Sequence, residues 1–269
     1  MAVLTTAATA RTEFREIEYP GGSVEIAINI RPGSDALLLC LHGFGCAKES
    51  FDSAYGVDQL ADLTIAAFDF PGHGGSGRFA DPSHYSIQTY ADLTIELVRQ
   101  LAPRRLYLLC HSMGGAVGLV AGQELRTSAF ISVEGNLVGQ DCGIVSRRAA
   151  EQPRHEYVHT GYHRFVAGLI SSPRRDLRTW AGWYGQADPV ALHRSAESLV
   201  EWSDSGKLLS LFASQTRPAY LHGGDSQLDY LLPSLRGVPV YTIPGAGHFP
   251  MLDQPAAFWA AVAGHLGSH

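Results

Sequence analysis

Ser112 stands where a buried apolar run meets a helical one. Residues 106–125 read LYLLCHSMGGAVGLVAGQEL. A strand that runs straight into a serine and then into a helix forces a strained turn. That turn needs small residues two positions away on each side, the G-x-S-x-G pattern. Here the flanking residues are Cys110 and Gly114. Cysteine is small, so the departure is modest. The helix that follows favours negative charge at its N-terminus and aims free N–H groups at the serine, which makes the Met113 N–H one oxyanion donor. Gly115, Gly118 and Gly122 allow that helix to pack closely. The competing explanation is an ordinary helix N-cap serine.

Two further segments supply what a serine nucleophile needs. Residues 37–45, LLLCLHGFG, place His42, Gly43, Phe44 and Gly45 just after an apolar strand. A second oxyanion N–H is expected from this loop, and Phe44 is the candidate. His42 is expected to hold the loop rather than act as a base. Residues 238–262, VPVYTIPGAGHFPMLDQPAAFWAAV, put His248 in a glycine-rich loop between the last strand and the last helix. A general base must reach over the sheet edge to the serine, and such a loop suits it. His111 adjoins Ser112 on a tight turn and so points elsewhere. It is expected to pack, or to line the pocket.

The elements that must position these groups alternate. An opening hairpin is expected over residues 14–19 and 23–30, around Gly21-Gly22. Continuous apolar runs follow at 36–41, 63–70, 105–110 and 129–134, with helical patterns at 47–60, 86–101 and 113–125 between them. Uninterrupted apolar strands suit a sheet covered on both faces, and the alternation predicts an α/β fold with a mostly parallel sheet and helices on both faces. From about 137 to 213 the chain is helical and aromatic with no strand run. Strand 219–223, a helix near 227–235, strand 238–243 and a helix over 254–266 complete the pattern. The expected domains are a core of 1–136 and 214–269 and an inserted helical lid of 137–213, over the strand ends where open sheets bind ligands.

Taken together, His42-Gly43-Phe44-Gly45, the segment from Asp69 to Gly74, Cys110-His111-Ser112-Met113-Gly114-Gly115 and Gly247-His248-Phe249 resemble the α/β-hydrolase superfamily over essentially the whole chain. The resemblance implies a triad in the order serine, acid, histidine, and makes the segment from Asp69 to Gly74 a structural turn. Relatives that cleave carbon–halogen bonds or epoxides carry aspartate at the nucleophile position. Serine implies acyl transfer through an acyl-enzyme on Ser112, with water releasing the acyl group. The implied activity is hydrolysis of a carboxylic ester, thioester or lactone of a small, partly apolar substrate, with no cofactor. Transacylation, carbon–carbon bond hydrolysis or a small-molecule receptor on the same scaffold are the alternatives.

The triad acid has two candidates. The usual position follows the strand YLHGG, where Asp225 lies. The familiar spacing of three from glycine, however, lands on Ser226 from Gly223 and on Gln227 from Gly224. Some relatives, such as certain haloalkane dehalogenases, use the end of the preceding strand. Here AFISVE ends abruptly in Glu134, and an acid closing an apolar strand needs a partner. Glu134 is favoured and Asp225 is the alternative.

Trp180, Trp183 and Tyr184 share a helical face and form either lid packing or an aromatic wall of the substrate pocket. His155-Glu156-Tyr157-Val158-His159 matches the zinc-protease pattern H-E-x-x-H, but Gly161 interrupts the segment and no metal site is expected. Seven arginines between 147 and 178 face only three acids, which a solvated face explains. An acidic carrier protein or an anionic substrate is the sharper alternative.

The formal net charge of -6 with 17% charged residues argues against nucleic acid as a partner. No apolar run approaches the ~18 residues of a membrane span. The N-terminal residues lack a basic segment before an apolar run, so no signal peptide is expected. Cys40, Cys46, Cys110 and Cys142 form no CxxC pair, which fits reduced thiols and a cytoplasmic location.

Overall fold

The structure is a computed structural model that describes residues 9–143 and 145–267. Most of the N-terminal segment read for targeting (residues 1–8), as well as Ser268 and His269, lie outside the described residues. Eight strands form one sheet: β1 (Arg11–Tyr19), β2 (Gly22–Arg31), β3 (Ala36–Leu41), β4 (Thr64–Phe68), β5 (Arg105–His111), β6 (Ala129–Val133), β7 (Pro218–Gly223) and β8 (Val240–Ile243). The order is β1-β2-β4-β3-β5-β6-β7-β8. β1 and β2 form the expected antiparallel hairpin, β2 meets β4 antiparallel, and the remaining pairs are parallel. β3 and β6 are buried throughout, as their uninterrupted apolar sequences require.

The helices are α1 (Ile87–Leu101), α2 (Met113–Ala121), α3 (Val145–Glu151), α4 (Arg154–Glu156), α5 (Tyr162–Ile170), α6 (Arg175–Tyr184), α7 (Pro189–Asp204), α8 (Lys207–Ala213), α9 (Pro250–Asp253) and α10 (Pro255–Gly267). α1 begins at Ser86, whose side chain accepts the Thr89 N–H, and ends at Ala102 in the left-handed region. α2 packs against both α1 and α8, while α9 and α10 pack with the 3₁₀ turns after β3. Among the described residues, every regular element of 139–213, between β6 and β7, is helical. Among the described residues no helix is long and apolar enough to cross a membrane.

Several helices differ from the sequence expectation. Residues 47–60 form 3₁₀ turns, Lys48–Gly56 and Asp58–Leu60. Asp69 takes the Lys48 N–H and the Ser50 hydroxyl bonds the Ala47 carbonyl, so local partners compete with α-helical bonding. The helix near 227–235 shrinks to a 3₁₀ turn, Leu232–Leu235, because Pro233 lacks an N–H. The expected last helix is present as α10, and a short α9 (Pro250–Asp253) precedes it, separated because Pro255 drives Gln254 out of helical geometry (φ -137, ψ 61). Gly161 does not interrupt its segment. The helix continues through it as a π turn, Tyr157–Gly161, with the glycine pressed against Gln152.

Register brings the site together. Leu41 of β3 pairs with Cys110 of β5, His111 with Val133 of β6, and Val133 with Leu221 of β7. The loop after β3, Ser112 and Glu134 therefore leave the sheet side by side at one edge, the edge where parallel sheets place their ligands.

Candidate active site

Ser112 occupies the corner between β5 and α2 with φ 51 and ψ -119. A positive φ strains a residue with a side chain, and the surroundings must hold it there. The Ser112 N–H donates to the Val133 carbonyl at 3.0 Å, and its own carbonyl accepts from the Gly115 N–H at 2.8 Å. A Cβ at Gly114 would come within 2.4 Å of the Leu41 carbonyl oxygen, so the glycine at that position is required. Cys110 is accommodated on the other side by Gly118, where a Cβ would lie 2.5 Å from the Cys110 Sγ.

The loop after β3 passes close beneath Ser112. A Cβ at Gly43 would lie 3.0 Å from the Ser112 Cβ. His42 holds this loop. Its Nδ1–H reaches the Gly43 carbonyl at 2.8 Å, and its Nε2 accepts the Phe70 N–H at 3.0 Å. Burial, with His73 nearby, pushes its pKa well below the ordinary imidazole value, so it stays neutral. The Phe44 carbonyl accepts the Trp180 indole N–H at 3.1 Å. Among the described residues, neither the Phe44 nor the Met113 N–H donates to a backbone acceptor. Behind the loop, Asp69 is buried and accepts from the Lys48 N–H, the Lys48 ammonium and the Gly75 N–H.

His248 lies between β8 and α9. The Gly247 N–H donates to Asp253, and the His248 carbonyl receives the Nε2–H of His111 at 2.9 Å. His111 is fully buried, and that burial, with His248 beside it, keeps its imidazole neutral. Its ring centroid sits 4.9 Å from that of His248. Ser112 and His248 face one cavity without a direct hydrogen bond between their side chains. Such contacts are often long before substrate binds.

Glu134, also at positive φ (48), follows β6. Its Oε2 lies 3.4 Å from the His248 Nδ1 and its Oε1 accepts the Gly223 N–H at 2.8 Å. Burial alone would raise its pKa. The hydrogen bond and charge of His248, with donors from Ser226 and Gly223, outweigh burial and hold the carboxyl below its ordinary range. Asp225 makes no such contact. Its N–H bonds the Ala246 carbonyl, among the described residues its carboxylate forms no hydrogen bond or ion pair, and its charge is felt by Arg174 and Asp253.

The shared cavity measures about 280 Å³. Its apolar wall includes Phe44, Leu177, Trp180 and Phe249, and Arg174 stands in it as a cation. His111 and Trp180 line it. Trp183 and Tyr184, expected on the same wall, do not. α6 turns Leu177 and Trp180, one turn apart, toward the cavity. Tyr184, a turn further on, is buried behind Phe44 with its hydroxyl 2.6 Å from that of Tyr157, and Trp183 is only half-buried. Arg174, one of the seven arginines between 147 and 178, enters this cavity, and its Nε and Nη2 grip the buried Asp176.

The H-E-x-x-H segment runs from α4 into the π turn. His155 and His159 therefore do not share the regular α-helix on which two histidines four apart face one metal. Among the described residues no group of three or more His, Cys, Asp or Glu side chains is placed to hold a metal ion. The arginines of this region are partly spent internally. Arg147 pairs with Asp204, Arg174 with Asp176, and Arg178 donates to the Ser172 and Pro173 carbonyls.

The alpha/beta hydrolase family model matches residues 38–261, and the chain belongs to that family. Among solved structures, the N-acyl homoserine lactonase AidH complexed with N-hexanoyl homoserine is similar at a TM-score of 0.75, with 20% identity over 96% of each chain. A thermophilic esterase from Thermogutta terrifontis is similar at a TM-score of 0.76, with 20% identity over 94% of this chain and 98% of that one. At this identity the likeness is one of fold. A serine hydrolase-like protein of Danio rerio is 33% identical over 42% of this chain and 34% of its own length. A Mycoplasma pneumoniae protein with esterase/lipase in its name is 30% identical over 40% of each. The chain thus spans about two fifths or less of the length of these curated relatives.

Proposed function

We propose that the chain is a serine hydrolase of carboxylic esters acting on a small, partly apolar substrate in the cavity between Ser112 and Trp180. The observation that carries this reading is the line of groups at one sheet edge. Ser112 is held at positive φ, His248 faces the same cavity, and the buried Glu134 carboxylate lies behind the His248 Nδ1. His248 takes the Ser112 proton as the oxygen attacks the ester carbonyl. Glu134 fixes the tautomer with Nε2 toward the serine and stabilises the imidazolium. The oxyanion forms against the Phe44 and Met113 N–H groups, His248 returns the proton to the leaving alcohol, and water then releases the acyl group by the same route. Residues 137–213 act as a lid that supplies Trp180, Leu177 and Arg174 to the cavity. Thioesters and lactones present the same carbonyl to the same groups.

Labelling with a fluorophosphonate tests the reading. The wild type is expected to react at Ser112, and Ser112→Ala is expected not to. Failure of the folded wild type to label, together with no turnover of short-chain aryl esters, refutes it.

A further inference from the structure

A second cavity, of about 520 Å³, lies between α3 and α5. α3 packs on α7 and α5 packs on α6, so the two helices diverge around it. Its floor is aromatic, made by Tyr157, Phe165 and Tyr184. Tyr157 is carried by the π turn, a type of insertion that gathers at functional sites. The rim carries Arg148 from α3, Arg164 from α5, and Glu156. Unlike Arg147, Arg174 and Arg178, neither Arg148 nor Arg164 has a side-chain hydrogen bond or ion pair among the described residues. Glu156 pairs with neither, so two guanidinium groups against one carboxylate leave the rim cationic. Val145 stands in the wall of this cavity and in that of the Ser112 cavity, so the two adjoin.

Unpaired guanidinium groups above aromatic rings suit a carboxylate on an apolar stem. The planar fork meets the carboxylate through paired charge-assisted bonds, and the stem is buried on the rings. Resting on the reading of Ser112 as an ester-attacking nucleophile, we propose that this cavity is the far half of the substrate site. The preferred ester carries a carboxylate at the end of an apolar chain remote from the scissile bond, held by Arg148 and Arg164.

Two ladders of chromogenic or pH-monitored esters test this. One consists of half-esters of linear dicarboxylic acids, with the anion on the acyl side. The other consists of acyl esters of linear hydroxy acids, with the anion on the alcohol side. Each is compared with neutral esters of equal length. One ladder is expected to contain a member favoured by about tenfold in KM, the scale of one charge-assisted hydrogen bond. The preference should vanish in R148Q/R164Q, with turnover of the neutral esters retained. No preference at any length, or a preference that survives in R148Q/R164Q, overturns the proposal. A binding arm separates it from the fate of Ser112. In Ser112→Ala, anilinonaphthalene sulfonate is titrated and then displaced with linear dicarboxylates. Displacement that is lost in the Ser112→Ala protein also carrying R148Q/R164Q supports the cavity even if no ester is hydrolysed. Displacement that persists there counts against it even if esters are hydrolysed well.

Discussion

The buried imidazole of His111 donates its Nε2–H to the backbone carbonyl of His248 at 2.9 Å, tying the residue beside the elbow serine to the loop that carries the candidate base. His111 is a positioning residue in this arrangement. Replacing it with Phe keeps a ring but removes the donor, and the expected result is a loss of about five- to tenfold in kcat with KM little changed, the scale of one hydrogen bond. His111→Gln, which can return an amide N–H to the same carbonyl, is expected to recover most of that loss. Equal kcat in the wild type and His111→Phe refutes the role.

Removing the nucleophile is the most severe change. Ser112→Ala is expected to lower ester turnover at least ~1,000-fold with the fold intact, because only oxyanion and binding contributions survive. A well-folded Ser112→Ala protein that keeps most of its activity ends the mechanism.

The two candidate acids give opposite expectations. Glu134→Gln should lower kcat by ~10²–10⁴ near neutral pH, since the amide no longer stabilises the imidazolium. Asp225→Asn should cost little, since His248 pairs with Glu134 and not with Asp225. Steady-state kinetics on both, with circular dichroism to check folding, decides the matter. A severe loss confined to Asp225→Asn reverses the assignment.

Trp180 and Trp183 separate a cavity wall from scaffold. Trp180→Ala opens the wall and frees the Phe44 carbonyl, so the ranking of esters by acyl size should change, with larger acyl groups gaining relative to small ones. Trp183→Ala should leave the ranking as it is. A ranking altered equally by both, measured over one acyl series, contradicts the geometry.

Acid should weaken the fold ahead of the carboxylate range. Burial, joined by nearby charges at His42 and His111, keeps His42, His73 and His111 neutral, with His73 pushed down to about 4. In the unfolded chain each titrates near its ordinary value of 6.5. Below that value the unfolded state binds more protons, so the stabilisation is complete above it and is lost as pH falls. With three protons the slope approaches roughly 4 kcal/mol per pH unit. The raised Asp52, Asp141 and Asp253 act in the opposite sense, but only nearer the carboxylate range. The thermal midpoint should therefore fall between pH ~7.5 and ~5.5. A flat midpoint over that span contradicts the buried neutral histidines.

Much of this arrangement is legible in the chain because its parts sit where apolar runs end. Ser112 and Phe44 each follow a strand that the sequence marks by continuous hydrophobicity, and His248 lies in a glycine-rich loop between the last strand and the last helices. Glu134 stands out as an acid closing such a run, and the pairing of Val133 with Leu221 places it beside the His248 loop. Local pattern says less about where short helices face. Trp183 and Tyr184 share spacing with Trp180, yet the cavity takes only one stripe of α6. The turns over 48–60 and 232–235 escape notice because side-chain bonds to the backbone and a proline override helical propensity. The π turn has no sequence signature, and the link between His111 and His248 spans 137 positions that only the fold brings together.

The fit of Cys110 against Gly118 carries a consequence for how this chain can evolve. A Cβ at 118 would lie 2.5 Å from the sulfur at 110, so Gly118→Ala forces the buried sulfur to shift while cysteine is present. With glycine at 110 that contact goes, and the next nearest atoms, those of the Phe130 ring at 3.2 and 3.3 Å, need give by only a few tenths of an ångström. The two positions are therefore coupled, and alanine at 118 is reached more readily when position 110 changes first.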